Sequence, residues 1–125
     1  MTDDLLHFDR LAPYISEALE HAEGTHTLED VRSKVASGHL QLWPCPSSAV
    51  ITEIHELPRA KVLHFFLAAG NLDELRPVYN IIEDWGRSLG CTRATFVGRH
   101  GWQRTFMTKE EGWTAPLTYY SKDLS

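Results

Sequence analysis

The stretch Lys61–Ala69 (KVLHFFLAA) constrains this chain more than any other. It is apolar on both of its faces apart from Lys61 and His64. A run this short with that composition fits a strand covered on both sides. A fold built around it must therefore supply helices to both faces of a sheet.

Its flanks supply partners for that strand. Ser48–Leu57 (SAVITEIHEL) is rich in β-branched residues and reads as a strand. Leu57-Pro58-Arg59-Ala60 reads as the turn between the two. A turn centred on Pro58-Arg59 sets Glu56 opposite Lys61, Ile54 opposite Leu63, Glu53 opposite His64 and Thr52 opposite Phe65. Proline at the first central position bars the primed two-residue turns, so a four-residue loop is expected. With Phe65, Phe66 and Leu67 on a central strand, Phe66→Ala is expected to cost about 3–5 kcal/mol.

Gly70-Asn71 stops the buried strand. Leu72–Leu89 then places Leu72, Leu75, Tyr79, Ile82 and Leu89 at helical spacing, widened by Val78, Ile81 and Trp85. Gly90 suits the position after the helix end. Pro77 interrupts the pattern, so a short turn over Leu72–Arg76 is expected, with the main helix starting near Pro77 or kinked there. Asn71 is placed to cap the helix and Glu74 to close a capping box. Thr92–Val97 (TRATFV) reads as the next strand.

Ahead of this core lie two helices. The first is expected to open near Asp9, with Leu11, Ile15, Ala18, Leu19 and Ala22 on one face and Pro13 in its first turn. Glu23-Gly24-Thr25 ends it. Thr27 and Asp30 have capping-box spacing before a second helix over Leu28–Ala36, closed by Ser37-Gly38. His39–Trp43 alternates like a half-buried strand, and Pro44-Cys45-Pro46-Ser47 forces a loop. After Val97 a glycine-containing loop leads to a short helix over Trp102–Met107. A final strand over Trp113–Ser121 follows, broken or at an edge because of Pro116. The expected order is α α β β β α β α β: an α+β fold with a mixed sheet covered by helices, in one domain spanning 1–125.

Composition excludes several function classes. The formal net charge of −5 argues against general nucleic-acid binding, although Arg87, Arg93, Arg99 and Arg104 recur along one part of the chain. Two cysteines, Cys45 and Cys91, are too few for a disulfide scaffold and suit reduced thiols in a cytosolic setting. No apolar run has the length of a membrane span, and the acidic start (MTDDLLHFDR) lacks a signal-peptide pattern. The seven histidines show no HxxxH or HExxH spacing, so no metal site is expected. Among the four tryptophans, Trp43 after a half-buried strand and Trp102 in a glycine loop are candidate interface residues.

The element order resembles that of the GCN5-related N-acetyltransferases (GNAT), from about Arg10 to Tyr120. The segments LWPCPSSAVITEI, LAAGNLDEL and EDWGRSLGC…GRHGWQR are similar to small GNAT-like proteins from the structural and virion gene modules of tailed bacteriophages. The resemblance implies an acyl-CoA loop of the form Arg/Gln-x-x-Gly-x-Gly/Ala, whose N–H groups hold the pyrophosphate at a helix N-terminus. The matching place here is Ala68–Glu74, where Gly70 and Asn71 are the candidate cofactor-binding residues. It carries one glycine, no Arg or Gln, and carboxylates at Asp73 and Glu74. The tyrosine acid usual in that family is missing from Trp102–Met107. Glu53 and His64 are the acid–base candidates if the chain is an acyltransferase using acetyl-CoA, with His55 nearby on the same strand as Glu53. The expectation is instead a non-catalytic GNAT-like protein without a cofactor. It would work through contacts with other protein subunits, virion proteins among them, in the host cytoplasm or the virion.

Overall fold

The computed structural model describes residues 3–22, 24–98 and 112–125. The elements run α1 (Asp3–Leu19), α2 (Leu28–Ser37), β1 (Gln41–Pro44), β2 (Ser48–Leu57), β3 (Ala60–Gly70), α3 (Leu72–Ser88) and β4 (Arg93–Phe96). The sheet order is β1-β2-β3-β4, antiparallel except for the parallel β3–β4 pair. This is the expected α+β architecture with a mixed sheet.

β3 is an inner strand covered from both sides, as its composition requires. One face of the sheet packs Ala49, Ile51, Phe66 and Leu67 against Phe8, Leu11 and Ile15 of α1 and Val31 and Val35 of α2. The other packs Val50, Leu63 and Phe65 against Leu75, Tyr79 and Ile82 of α3. Gly86 lets α3 approach closely, since a Cβ there would stand 3.0 Å from Leu63 Cδ2.

The hairpin register agrees with the sequence reading at all four expected pairs, Glu56–Lys61, Ile54–Leu63, Glu53–His64 and Thr52–Phe65. The turn is tighter than expected. Leu57 pairs with Ala60, so only Pro58-Arg59 link the strands. Beyond Thr52–Phe65 the register shifts, and Ile51 pairs with Leu67. Phe66 is the extra residue of a β-bulge, which turns Phe66 and Leu67 toward the α1 side together.

α1 begins six residues before Asp9. Leu5 and Phe8 extend its apolar stripe backwards, and Asp3 and Asp4 complement the helix N-terminus. Pro13 therefore lies inside the helix, not in its first turn. It is exposed, as is Asp9 one turn earlier, so the carbonyl it leaves without an N–H donor faces water. The expected capping box on α2 is present: Thr27 Oγ1 accepts from Asp30 N, and Asp30 Oδ2 accepts from Thr27 N.

α3 is one helix from Leu72, and neither a separate first turn nor a start at Pro77 is found. Asn71 caps it, and Leu72 and Leu75 anchor its first turn in the core. Burial of that turn outweighs the one backbone bond that Pro77 removes. Lys61 Nζ donates to Leu89 O at 2.9 Å and so closes the other end.

β1 starts two residues later than expected, at Gln41, and runs on to Pro44, which an outer strand tolerates. The final strand expected over Trp113–Ser121 is not formed, and residues 112–125 have no regular structure. Pro116 removes a donor in the middle of that run, and ahead of it Trp113 docks its ring on Phe65 and Phe96. The short helix expected over Trp102–Met107 lies outside the described residues.

Candidate functional site

Two features of the sheet meet at the N-terminus of α3. The parallel β3–β4 ladder has four pairs, from Val62–Arg93 to Phe65–Phe96, and stops beside the bulge at Phe66. β3 continues to Gly70 and runs directly into α3. An open sheet binds ligands at the carboxyl ends of its parallel strands, so this is the first place to look for a site.

What stands there is a network of the chain's own groups. Asn71 Oδ1 accepts from Asp73 N at 3.0 Å, and Glu74 N donates to Asn71 O at 3.2 Å. Glu74 does not close a capping box on Asn71. Its carboxylate instead crosses to the β1–β2 loop, where it accepts from Ser47 N at 2.8 Å, from Ser47 Oγ at 3.0 Å and from the fully buried Ser48 Oγ. These donors, Ser48 foremost, hold the Glu74 carboxyl below the usual carboxylate range. Arg10 of α1 grips the same loop from the other side through Pro46 O (2.6 Å) and Cys45 O (3.0 Å). Burial pushes the Cys45 thiol up.

Gly70 is required by this loop. Its φ is +90°, and a Cβ there would stand 2.7 Å from Ser48 Cα and closer still to the Ser47 carbonyl oxygen. The candidate cofactor-binding residues Gly70 and Asn71 thus serve loop packing and helix capping in this structure. A pyrophosphate needs several convergent N–H groups and no carboxylate beside them. Here Asp73 N and Glu74 N are already engaged by Asn71, and the Glu74 carboxylate lies beside them on the Ser47-Ser48 loop. The residues present do not fit that group.

A second cluster lies where β2, β3 and β4 share a face. Glu53 and His64 are directly opposite, but their side chains do not bond to each other. Glu53 Oε1 bonds His55 Nε2 instead, the residue two positions along its own strand. His55 stacks on His64 with ring centroids 5.1 Å apart and planes 19° from parallel. His64 Nδ1 meets Thr95 Oγ1 of β4 at 2.9 Å. Burial first, and then the neighbouring His55, lower the pKa of His64, while Glu53 acts in the opposite sense. The lowered pKa favours the neutral imidazole of His64, which can take a proton from a donor, and Glu53 fixes the orientation of His55 beside it. The alternation of Glu53 and His55 on one strand was the signal for that pair. Thr95 enters through the parallel strand, which pair spacing within the hairpin does not reveal.

The other candidates divide as follows. Trp43 is half-buried, donates from Nε1 to Thr52 Oγ1 at 3.0 Å and packs edge-on against Trp85. Trp102 lies outside the described residues. Both cysteines are free thiols. Among the described residues no group of three or more His, Cys, Asp or Glu side chains could hold a metal ion. No described helix is long and apolar enough to cross a membrane.

No protein-family model matches the sequence, and no curated protein matches it significantly. Solved structures do match. A probable acetyltransferase superposes with a TM-score of 0.71 at 12% identity, covering 97% of this chain and 94% of that one. TTHA1254 from Thermus thermophilus gives 0.64 at 16% identity, covering 100% of this chain and 95% of its own. The aminoglycoside N-acetyltransferase AAC(6')-Iy, crystallised with CoA, gives 0.61 at 13% identity, covering 96% of this chain and 89% of its own. Identities this low speak for the fold alone. With two leading helices, an antiparallel meander, a crossing helix and the parallel strand β4 among the described residues, this chain has the GCN5-related N-acetyltransferase fold.

Proposed function

We propose that this is a non-catalytic protein on an acetyltransferase scaffold, acting through contacts with other protein subunits. The setting we favour is a tailed-bacteriophage virion or accessory module, on the strength of the sequence resemblance. The observation that carries the non-catalytic reading is Glu74. Its carboxylate occupies the donors of the Ser47-Ser48 loop at the helix N-terminus, where the scaffold would otherwise place a phosphate. Gly70 packs that loop in place, and Asn71 uses a helix N–H that an anion would need.

Isothermal titration of the purified chain with acetyl-CoA tests this. No saturable heat is expected. Micromolar binding with fixed stoichiometry would overturn it, and mass spectrometry of purified virions tests the setting separately.

One observation favours a second reading, an acetyl-CoA-dependent N-acyltransferase. Glu53, His55 and His64, whose pKa is lowered by burial, form a cluster of acid–base groups on β2 and β3 beside Thr95 of β4. AAC(6')-Iy was crystallised with CoA on this fold. In that reading Glu53 and His64 are the acid–base residues, and His55 transmits the effect of Glu53.

A further inference from the structure

Three strands join one line of polar side chains on the α1–α2 side of the sheet. Glu53 Oε1 fixes His55 Nε2 on β2, the His55 ring stacks on His64 of β3, and His64 Nδ1 reaches Thr95 Oγ1 of β4. The backbone ladders beneath this line are unequal. Ten antiparallel pairs join β2 to β3, whereas four parallel pairs join β3 to β4. Parallel pairing is also slightly weaker per residue. The line therefore runs from the longest ladder of the sheet to a short one.

Two imidazoles with centroids 5.1 Å apart repel strongly when both are charged. The first proton belongs on His55, which faces the Glu53 carboxylate and has a side chain 42% exposed. A second proton must enter the half-buried His64, and burial and the His55 charge both resist it. Among the described residues Glu53 and His55 face His64 from β2, and the uncharged Thr95 faces it from β4. Exposed Arg93 lies two positions along β4 on the same face. α1 and α2 bring apolar side chains to this side of the sheet, and His26, ahead of α2, meets Phe66 with ring centroids 4.8 Å apart.

We propose that His55 and His64 form an acid-operated clasp on β4: the stack holds while it carries at most one proton, and a second proton drives the rings apart and loosens β4 from β3. A charged His64 can still donate to Thr95, so protonation alone does not break that bond. The like charge on His55 displaces the ring, because Glu53 and the long β2–β3 ladder hold His55 in place. What yields is the His64 ring and the short β4 ladder beside it. The fold favours neutral His64, so the clasp is closed above the His64 midpoint and opens as the pH falls through it. The clasp does not depend on whether acetyl-CoA binds, so its failure is distinct from that of the titration above.

Imidazole nitrogen-15 NMR of the full chain, combined with amide hydrogen exchange across pH, tests it. The NMR signals give the His64 midpoint. Protection factors, corrected for the intrinsic pH dependence of exchange, should fall by about tenfold at Ala94, Thr95 and Phe96 through that midpoint. Those of the β2–β3 hairpin should hold. His55→Phe keeps a ring in the stack and removes its charge, so the fall at β4 should shrink below about threefold. His55→Gln, which removes ring and charge together, should shrink it as well, so the result does not rest on how a phenylalanine packs. Wild-type protection at β4 that stays constant through the His64 midpoint overturns the proposal. So does a fall of wild-type size in both His55 variants, or in His64→Gln.

Discussion

Gly70→Ala tests the packing of the α3 N-terminus most directly. Two costs act at this position. An alanine must hold φ near +90°, a region that disfavours side chains by about 1–2 kcal/mol. Its Cβ would also stand 2.7 Å from Ser48 Cα and nearer still to the Ser47 carbonyl oxygen. Overpacking of that kind costs about 1–3 kcal/mol. The loop has little freedom to retreat, because Glu74 holds Ser47 and Ser48 from one side and Arg10 holds Cys45 and Pro46 from the other. The sum is about 3 kcal/mol, which for a chain of this size lowers the melting temperature by about 10–15 °C. Urea unfolding followed by tryptophan fluorescence and scanning calorimetry read both quantities. In a Glu74→Ala background the loop is released, so the cost of Gly70→Ala should shrink. A loss below about 1 kcal/mol, or equal losses in the two backgrounds, would refute the argument. If Gly70 instead served a phosphate, the variant would keep its stability and lose only a ligand.

Two further predictions follow from burial and charge. Phe65→Ala should cost about 3–5 kcal/mol, because Phe65 lies between Tyr79 and Trp113 in the core, whereas the half-buried bulge residue Phe66 should cost less, about 1–3 kcal/mol; equal unfolding midpoints for the two variants would contradict the bulge. The pKa of His64 lies below its unfolded value of 6.5, so the unfolded chain binds more protons just below that pH, and stability is full above it and falls as the pH drops toward the folded value. Part of the loss in urea midpoint between about pH 7.5 and 5.5 should therefore vanish in His64→Gln, and an identical loss in both proteins would show that His64 does not carry it.

The chain's own residues determined most of the fold. The doubly apolar run Lys61–Ala69 required an inner strand with helices on both faces, and that is how β3 lies. Glu56 opposite Lys61 and the turn at Pro58-Arg59 fixed the hairpin register, because a one-residue slip would have moved every core side chain to the other face. Thr27 and Asp30 fixed the start of α2 because a capping box is local chemistry. Prolines were the local signal that tertiary packing overrode. Pro13 and Pro77 both lie inside helices, since the buried faces of α1 and α3 gain more than one backbone bond is worth. The partner of Glu74 was also beyond local reading. Within its own segment its spacing from Asn71 suggests a cap, but the Ser47-Ser48 loop arrives through the sheet with stronger donors, one of them fully buried. In the same way the hairpin register brought Glu53 opposite His64. Only the arrival of β4, with Thr95, and the side-chain choice of Glu53 for His55 decided which groups hydrogen-bond. Contacts near in sequence could be read from residue spacing, whereas those made across the sheet depended on the bulge at Phe66 and the crossing of α3, which no local pattern encodes.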